Sequence, residues 1–326
     1  MVTGIGGFLG RHLLRTLVQA GYSVRGIARS PVSMSADEQA DVGSAEVKIA
    51  TADLNSLASA DSMPGDFQNT GPVDIFYHLA GRAHRPSELA DEQYCREFEA
   101  DNVSATIAAY HLARRWEAKR FVHLSSIKVL GDVSTVPFRP DLPYAPEDVY
   151  ARTKCAAEQG LIELEREHRL PVTIIRPPLI FGAGVKGNMK SLIDLVGSGW
   201  PLPLGSAHAK RSFVGATNLC DLLVNYVPKD QAALRVLHVR EREDLSVREL
   251  LIAISGGMGK SARLFPLPEK LLRTTLKLVG RTGLASRLLS PMQVDDSPTR
   301  ELFDWTPPYT IGESIEEMLK CPSSRH

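Results

Sequence analysis

Residues 3–10 read Thr3-Gly4-Ile5-Gly6-Gly7-Phe8-Leu9-Gly10 and run into Leu9–Ala20, where Leu13, Leu14, Leu17 and Val18 recur at helical spacing and give one apolar face. The glycines have separate uses. Gly4 permits a tight turn, Gly7 lets backbone approach a pyrophosphate, and Gly10 lets a helix pack closely on a strand. The helix N-terminus behind them offers free N–H groups and a partial positive charge to that pyrophosphate. A glycine pattern alone also describes a flexible turn, so its setting decides between the two. Short β-branched apolar runs at Ser23–Ala28, Glu46–Ala50, Asp74–Leu79, Arg120–Leu124 and Val172–Arg176 alternate with helical patterns at Tyr94–Glu117 and Asp148–His168. This alternation predicts a parallel sheet with helices on both faces, because parallel strands need crossover connections. The expected class is α/β, with a doubly wound parallel sheet.

After Arg176 the texture changes. Pro and Gly cluster at Pro177–Pro178, Gly182–Gly187 and Gly197–Gly205, which reads as loops and short elements. Leu234–Val239 is a further apolar strand able to rejoin the sheet, and Ser246–Ile254, Glu269–Val279 and Ile311–Leu319 read as helices. Residues 1–177 with about 212–242 are expected to form a nucleotide-binding domain, and about 178–211 with 243–326 a smaller mixed C-terminal lobe. Only Met1 and Val2 precede the glycine-rich turn, against about 5–6 residues for an ordinary strand. The reading favoured is that the true start lies upstream.

Lys and Arg together number 38, as do Asp and Glu, so overall charge makes no case for nucleic acid or an acidic membrane as partner. Cys95, Cys155, Cys220 and Cys321 stand alone, which argues against a zinc ribbon or disulfide framework and fits a reducing compartment. His78 and His84 are near neighbours without metal-ligand spacing, and no metal is expected. No signal peptide is visible, and no apolar run reaches the roughly 20 residues of a spanning helix, so a cytoplasmic chain without a membrane span is expected. The segment Leu271–Leu289 is both apolar and basic. A lobe helix is favoured there over a membrane-surface helix, because Gly280 and Gly283 interrupt it.

Tyr150-Ala151-Arg152-Thr153-Lys154 is the only Tyr-x-x-x-Lys in the chain. Residues four apart share a helix face, so the Lys154 ammonium is placed to lower the pKa of the Tyr150 phenol. Such a phenol exchanges protons with a substrate oxygen near neutral pH. Ser125-Ser126 closes the strand Arg120–Leu124, with Gly131 beyond it. With the Thr-Gly-x-x-Gly-x-x-Gly turn, these motifs in this order resemble the extended branch of the short-chain dehydrogenase/reductases, the NAD-dependent epimerase/dehydratase family. The resemblance implies a Rossmann domain in which Ser126, Tyr150 and Lys154 are catalytic, Ser126 orienting the reacting oxygen and Lys154 also holding the nicotinamide ribose. It assigns cofactor contacts to Gly4, Gly7, Phe8, Leu9, Gly10, Leu54 and Ala80, and to Asp53 on the adenine, where a plain helix cap is an equal reading. Asn102 matches a family asparagine with a structural role. Gly26-Ile27-Ala28-Arg29-Ser30, ending the second strand, holds no acid for the ribose hydroxyls. Arg29 therefore favours NADP(H), with NAD(H) the alternative.

The resemblance continues through Arg176-Pro177-Pro178-Leu179-Ile180-Phe181-Gly182, and Leu302-Phe303-Asp304-Trp305-Thr306-Pro307 is similar to the family's Gly-Trp-x-Pro tail, with Asp304 in place of Gly. Asn188 and Arg211 match positions that hold a substrate diphosphate, and Ser126 and Lys128 stand where the sugar is contacted. Ser125–Val129 and Gly184–Asn188 look closest to bacterial UDP-4-keto-6-deoxy-N-acetylhexosamine 4-reductases, a group that is UDP-glucose 4-epimerase-like. The implied activity is reduction of the 4-keto group of such a nucleotide-diphosphate sugar for surface polysaccharide, by a homodimer paired through Tyr94–Glu117 and Asp148–His168. A UDP-hexose 4-epimerase with tightly held NAD is the alternative. A non-catalytic dinucleotide sensor is a third reading, against which intact Ser126, Tyr150 and Lys154 argue. A dehydratase is disfavoured, because Ile127-Lys128 stand where it carries an Asp-Glu pair.

Overall fold

The computed structural model describes residues 1–320 apart from 35–38, 40–42, 44, 59–66, 68–70, 83–90, 231, 279 and 281, so His84 and Cys321 lie outside the described residues. Strands β1 (Val2–Thr3), β2 (Val24–Ala28), β3 (Val47–Thr51), β4 (Ile75–His78), β5 (Arg120–Leu124) and β6 (Val172–Arg176) precede β7 (Leu179–Phe181), β8 (Lys210–Arg211), β9 (Phe213–Gly215) and β10 (Leu234–His238). Seven of them form one sheet in the order β10-β6-β5-β4-β1-β2-β3. Every pairing from β3 to β6 is parallel. The expected Rossmann sheet is therefore present. Its order reverses at β1, which opens a crevice beyond the strand C-termini where ligands of such sheets bind.

The two-residue β1 is held on both sides, Val2 lying opposite Gly26 and Tyr77. Gly26 has no room for a side chain, since a Cβ there would stand 2.6 Å from the Ile5 Cδ1. Helices α1 (Phe8–Gln19), α2 (Glu92–Glu99), α3 (Ala105–Arg115) and α4 (Val149–His168) complete the crossovers. The expected single helix Tyr94–Glu117 is broken by a π-helical turn at Ala100–Ser104, an irregularity that periodicity does not reveal. The core is aromatic. Phe76 and Phe121 stack at 5.5 Å, Trp116 stacks on Phe76 at 6.1 Å, and the Tyr110 edge meets Phe121 at 5.5 Å. Burying each such ring contributes roughly 1.5–3 kcal/mol.

The chain forms two compact units, the first made of Met1–Val129, Tyr144–Arg176 and Cys220–Leu237, the second of Leu130–Pro143, Pro177–Leu219 and His238–His326. Leu130–Pro143 joins the second unit because its backbone pairs there. Phe138 N–H donates to Gln293 O at 2.8 Å, and Asp295 N–H donates to Phe138 O at 2.9 Å. The second unit also holds α5 (Asn188–Gly197), α6 (Val247–Gly257), α7 (Glu269–Leu278), α8 (Thr282–Leu289), α9 (Ser297–Phe303) and α10 (Ile311–Lys320). Here α5 occupies Asn188–Gly197, between the two glycine-rich stretches that read as loops and short elements. Asp304 caps α9 in the left-handed region at φ 49°, which explains why a glycine suits that position.

Gly10→Ala would place a Cβ 2.2 Å from Gly4 O and 2.7 Å from Ile5 Cα. It is expected to cost about 2–3 kcal/mol in urea unfolding. Gly197→Ala, with nothing within 4 Å, should stay within about 1 kcal/mol of the parent.

Candidate active site

Beyond the C-terminal ends of β1 to β4 lies a cleft of about 300 Å³, lined among others by Gly4, Gly7, Arg29, Leu54 and Ala80. Gly4 turns at φ 72°, and a Cβ on it would sit 2.7 Å from Ala80 N, so backbone meets backbone with no side chain between. Gly7 is the N-cap of α1 and supplies no side-chain cap, which leaves first-turn N–H groups for a ligand. This cradle fits a dinucleotide pyrophosphate. Leu9 and Gly10 are buried, Phe8 stands edge-on to His12 at 5.3 Å, and none of these three expected cofactor residues is among those lining the cleft. Gly6, Arg11, Ser30 and Val32 also line the cleft, although the motif reading passes over them.

Two expected cofactor residues have other work. The Asp53 carboxylate accepts the Asn55 N–H at 2.9 Å and so caps the turn Leu54–Ala58. The exposed Arg29 guanidinium donates to Asp101 at 2.9 Å, and the second Asp101 oxygen accepts from Arg82 at 2.9 Å.

The end of β5 gathers Ser126, Tyr150 and Lys154. Asp148 caps α4, accepting the Ala151 N–H at 2.7 Å, and also pairs with Lys128. This fixes the first turn of α4, which carries Tyr150. The buried Ser126 hydroxyl hydrogen-bonds the half-buried Tyr150 phenol. One turn on, buried Lys154 donates to Leu124 O at 2.9 Å, and a Cβ on Gly81 would lie 3.3 Å from its Nζ. Lys154 therefore spans the ends of β5 and β4.

The charge states differ from expectation. Tyr150 is not lowered by Lys154. Burial pushes its phenol up to about 12, the Ser126 hydrogen bond pulls it down, and the Asp148 carboxylate adds to the rise. Burial outweighs any help from the ammonium, which is turned to the Leu124 carbonyl. Lys154 itself is lowered to about 8 by burial, against the opposing pull of Glu158.

Glu158, which the motif reading does not single out, lies fully buried one turn beyond Lys154. It accepts from Arg176 Nη2 at 2.6 Å, from Tyr144 at 2.9 Å and from Ser125. Asn102, in the π-turn, accepts the Arg82 N–H at 2.7 Å and donates to Thr153 at 3.0 Å, which ties the β4 loop to α4. Beneath the site, His78 bonds Thr3 at 2.8 Å and Thr106 at 3.0 Å. His123 stacks on His78 at 5.5 Å, and among the described residues neither of its ring nitrogens has a hydrogen-bond partner.

In the second unit, buried Arg211 donates to Ser290 O at 2.6 Å. Burial lowers it to about 10, with Asp132 opposing and Arg287 adding to the fall. Two guanidinium groups thus repel one another there, and Arg287 is a candidate anion ligand that no motif marks. Asn188 opens α5 at the surface. Among the described residues no group of three or more His, Cys, Asp or Glu could hold a metal.

A doubly wound sheet with such a glycine cradle is the mark of dinucleotide-dependent enzymes. The chain belongs to the NAD dependent epimerase/dehydratase family, whose model matches residues 1–236, and it is an enzyme. It is 34% identical over 326 residues to a UDP-glucose 4-epimerase of Vibrio cholerae, covering 98% of this chain and 94% of that one. A 3 beta-hydroxysteroid dehydrogenase/Delta 5-->4-isomerase of Mycobacterium tuberculosis is 26% identical over 98% of this chain and 89% of its own. The crystal structure of UDP-glucuronic acid 4-epimerase from Bacillus cereus in complex with NAD has the same fold, with TM-score 0.74, 19% identity, and 98% and 94% of the two chains covered.

The buried histidines give a pH dependence. Burial, then the Lys154 charge, lowers His78 to about 3 and His123 well below its ordinary value. The unfolded chain takes up these protons below about 6.5 and the folded chain does not, so stability is full above that pH and falls on acidification. From pH 7 to 5 each histidine should remove about 2 kcal/mol of urea-unfolding stability. His123→Leu should make that fall about 2 kcal/mol smaller.

Proposed function

We propose that the chain is a UDP-hexose 4-epimerase that retains NAD. The observation carrying this reading is a Ser126 hydroxyl on the Tyr150 phenol, with Lys154 beside it, at the cleft edge of a chain similar along nearly its whole length to a UDP-glucose 4-epimerase. A bound nicotinamide would supply hydride transfer to and from carbon 4 of the sugar. Tyr150 moves the proton at the sugar's 4-oxygen, taking it as the alcohol is oxidised and returning it as the ketone is reduced on its other face. Burial holds the phenol protonated in the unliganded chain, so it must release that proton before it can take the one from the sugar alcohol, and it then returns this second proton in the reduction step. Ser126 holds the same oxygen. Lys154, charged below about 8, holds the ribose edge and favours the phenolate when Tyr150 has given up its proton. Arg211 and Arg287, whose charges oppose each other, are relieved by an anion such as a diphosphate, which gives that pair a reason to bind one.

Arg29 pairs with Asp101 at the surface, which weakens the Arg29-based expectation of a 2′-phosphate that tips the sequence reading toward a reductase. The second reading, an NADPH-dependent 4-ketoreductase, draws on a cleft lined, among the described residues, by Arg11 and Arg29 and by no carboxylate.

The purified protein should release NAD on denaturation and interconvert UDP-glucose and UDP-galactose with no nucleotide added. Absence of bound nucleotide, with rapid NADPH consumption on a UDP-4-keto-6-deoxy-N-acetylhexosamine, would establish the reductase instead. Tyr150→Phe should lower kcat by about 10²–10⁴ with nucleotide still bound. Arg287→Leu should raise KM about tenfold with little change in kcat, the signature of lost uniform binding.

A further inference from the structure

Helix α7, Glu269–Leu278, buries only Leu272. On the face turned away from Leu272, Leu271 and Leu278 stand two turns apart, 52% and 81% exposed. Thr274 and Thr275 lie between them and direct their hydroxyls back to the Lys270 and Leu271 carbonyls, each at 2.8 Å. Their polar atoms are thus satisfied within the helix, and the strip Leu271-Thr274-Thr275-Leu278 presents mainly carbon to the outside. Exposed Lys270 and Lys277, two turns apart, border this strip along one side. The one acid of the helix, Glu269, is taken by Arg273 at 2.7 Å. Among the described residues Lys270, Lys277 and the neighbouring Arg263 form no ion pair. In the same unit Trp200 and Phe265 are among the exposed aromatic side chains, at 73% and 44%. Their segments run side by side, Leu202 N–H donating to Arg263 O at 2.8 Å and Phe265 N–H to Leu202 O at 3.0 Å.

We propose that this face attaches the protein reversibly to an anionic lipid bilayer. An apolar strip bordered by unneutralised lysines matches the boundary between acyl chains and headgroups, where the leucines leave water while the ammonium groups meet phosphates. A second copy of the chain is a poorer partner, because pairing through this face would bring Lys270 and Lys277 against their own kind. Nucleic acid would satisfy the lysines and leave the leucines in water. The formal net charge of the whole chain is +0, so the attraction is local to this face. No helix among the described residues is long and apolar enough to cross a membrane, and α7 lies in the interface plane. This attachment is independent of the reaction proposed above and stands or falls separately.

The test is co-sedimentation of the full chain with vesicles of phosphatidylglycerol and phosphatidylethanolamine, set against phosphatidylcholine alone, with sugar turnover in solution measured in parallel. Binding to the anionic vesicles only, weakening with salt, is expected. Lys270→Glu with Lys277→Glu should weaken it by at least about tenfold, since each lysine at an anionic surface contributes roughly a fivefold gain. Leu271→Ser with Leu278→Ser should also weaken it, and both pairs should leave turnover in solution unchanged. Failure to sediment with either vesicle overturns the proposal. So does binding that survives both double variants, which would put the contact elsewhere. Self-association lost in the leucine pair, without vesicle binding, would assign the face to a second copy and equally overturn it.

Discussion

A carboxylate with no water around it has to be matched in charge and in hydrogen bonds, and Glu158 is such a group. Its oxygens draw in Arg176 from the end of β6, Ser125 from the end of β5 and Tyr144 from the loop entering α4. The Arg176 guanidinium also lies 5.2 Å over the Tyr144 ring. Each partner sits beside something the chemistry needs. Ser125 precedes Ser126, and α4 itself bears Tyr150 and Lys154. The same negative charge raises the Lys154 pKa against burial, so it sets the position and the protonation of the site together. Losing one member of a buried pair of this kind typically costs about 3–5 kcal/mol. The geometry is thereby locked harder than surface ion pairs could lock it.

A second chain of bonds runs through the core below the cleft. Thr3 of β1, His78 of β4 and Thr106 of α3 are linked in turn, and the Thr106 hydroxyl donates to Asn102 O at 2.7 Å. Asn102 then reaches Arg82 and Thr153, and the Thr153 hydroxyl donates to Tyr150 O at 2.9 Å. The strand beneath the glycine cradle is therefore joined to the turn that carries the phenol. Neutral His78 suits this path, since an uncharged ring can donate at one nitrogen and accept at the other.

The sequence makes the parallel sheet legible because buried parallel strands are continuous apolar runs. Arg120–Leu124 and Val172–Arg176 fall where the pattern puts them. Ser126, Tyr150 and Lys154 are legible because their spacing survives in one dimension. Glu158 is not, because four residues after Lys154 it reads as a surface pair, and its partner Arg176 becomes adjacent only when β6 joins the sheet. The π-turn escapes notice because one displaced residue hardly disturbs a helical pattern over Tyr94–Glu117. Arg287 sits in an apolar, basic stretch where nothing distinguishes it from Arg281 or Lys277. The Tyr150 error is of another kind. Spacing tells which charges are near but not how much water is removed, and here desolvation decides the sign.

The chain passes from one compact unit to the other after Val129, Pro143, Arg176, Leu219 and Leu237. Neither unit is a continuous stretch of polypeptide, so neither can be exchanged between relatives by a single recombination event. A ribosome that has released residues up to Arg176 has supplied most of the sheet but not β10. Its outer edge beside β6 stays open until Leu234–His238 emerges. During that interval β6 offers unpaired backbone to any passing strand, which makes synthesis of the intervening segment the period in which the nascent chain most needs a chaperone.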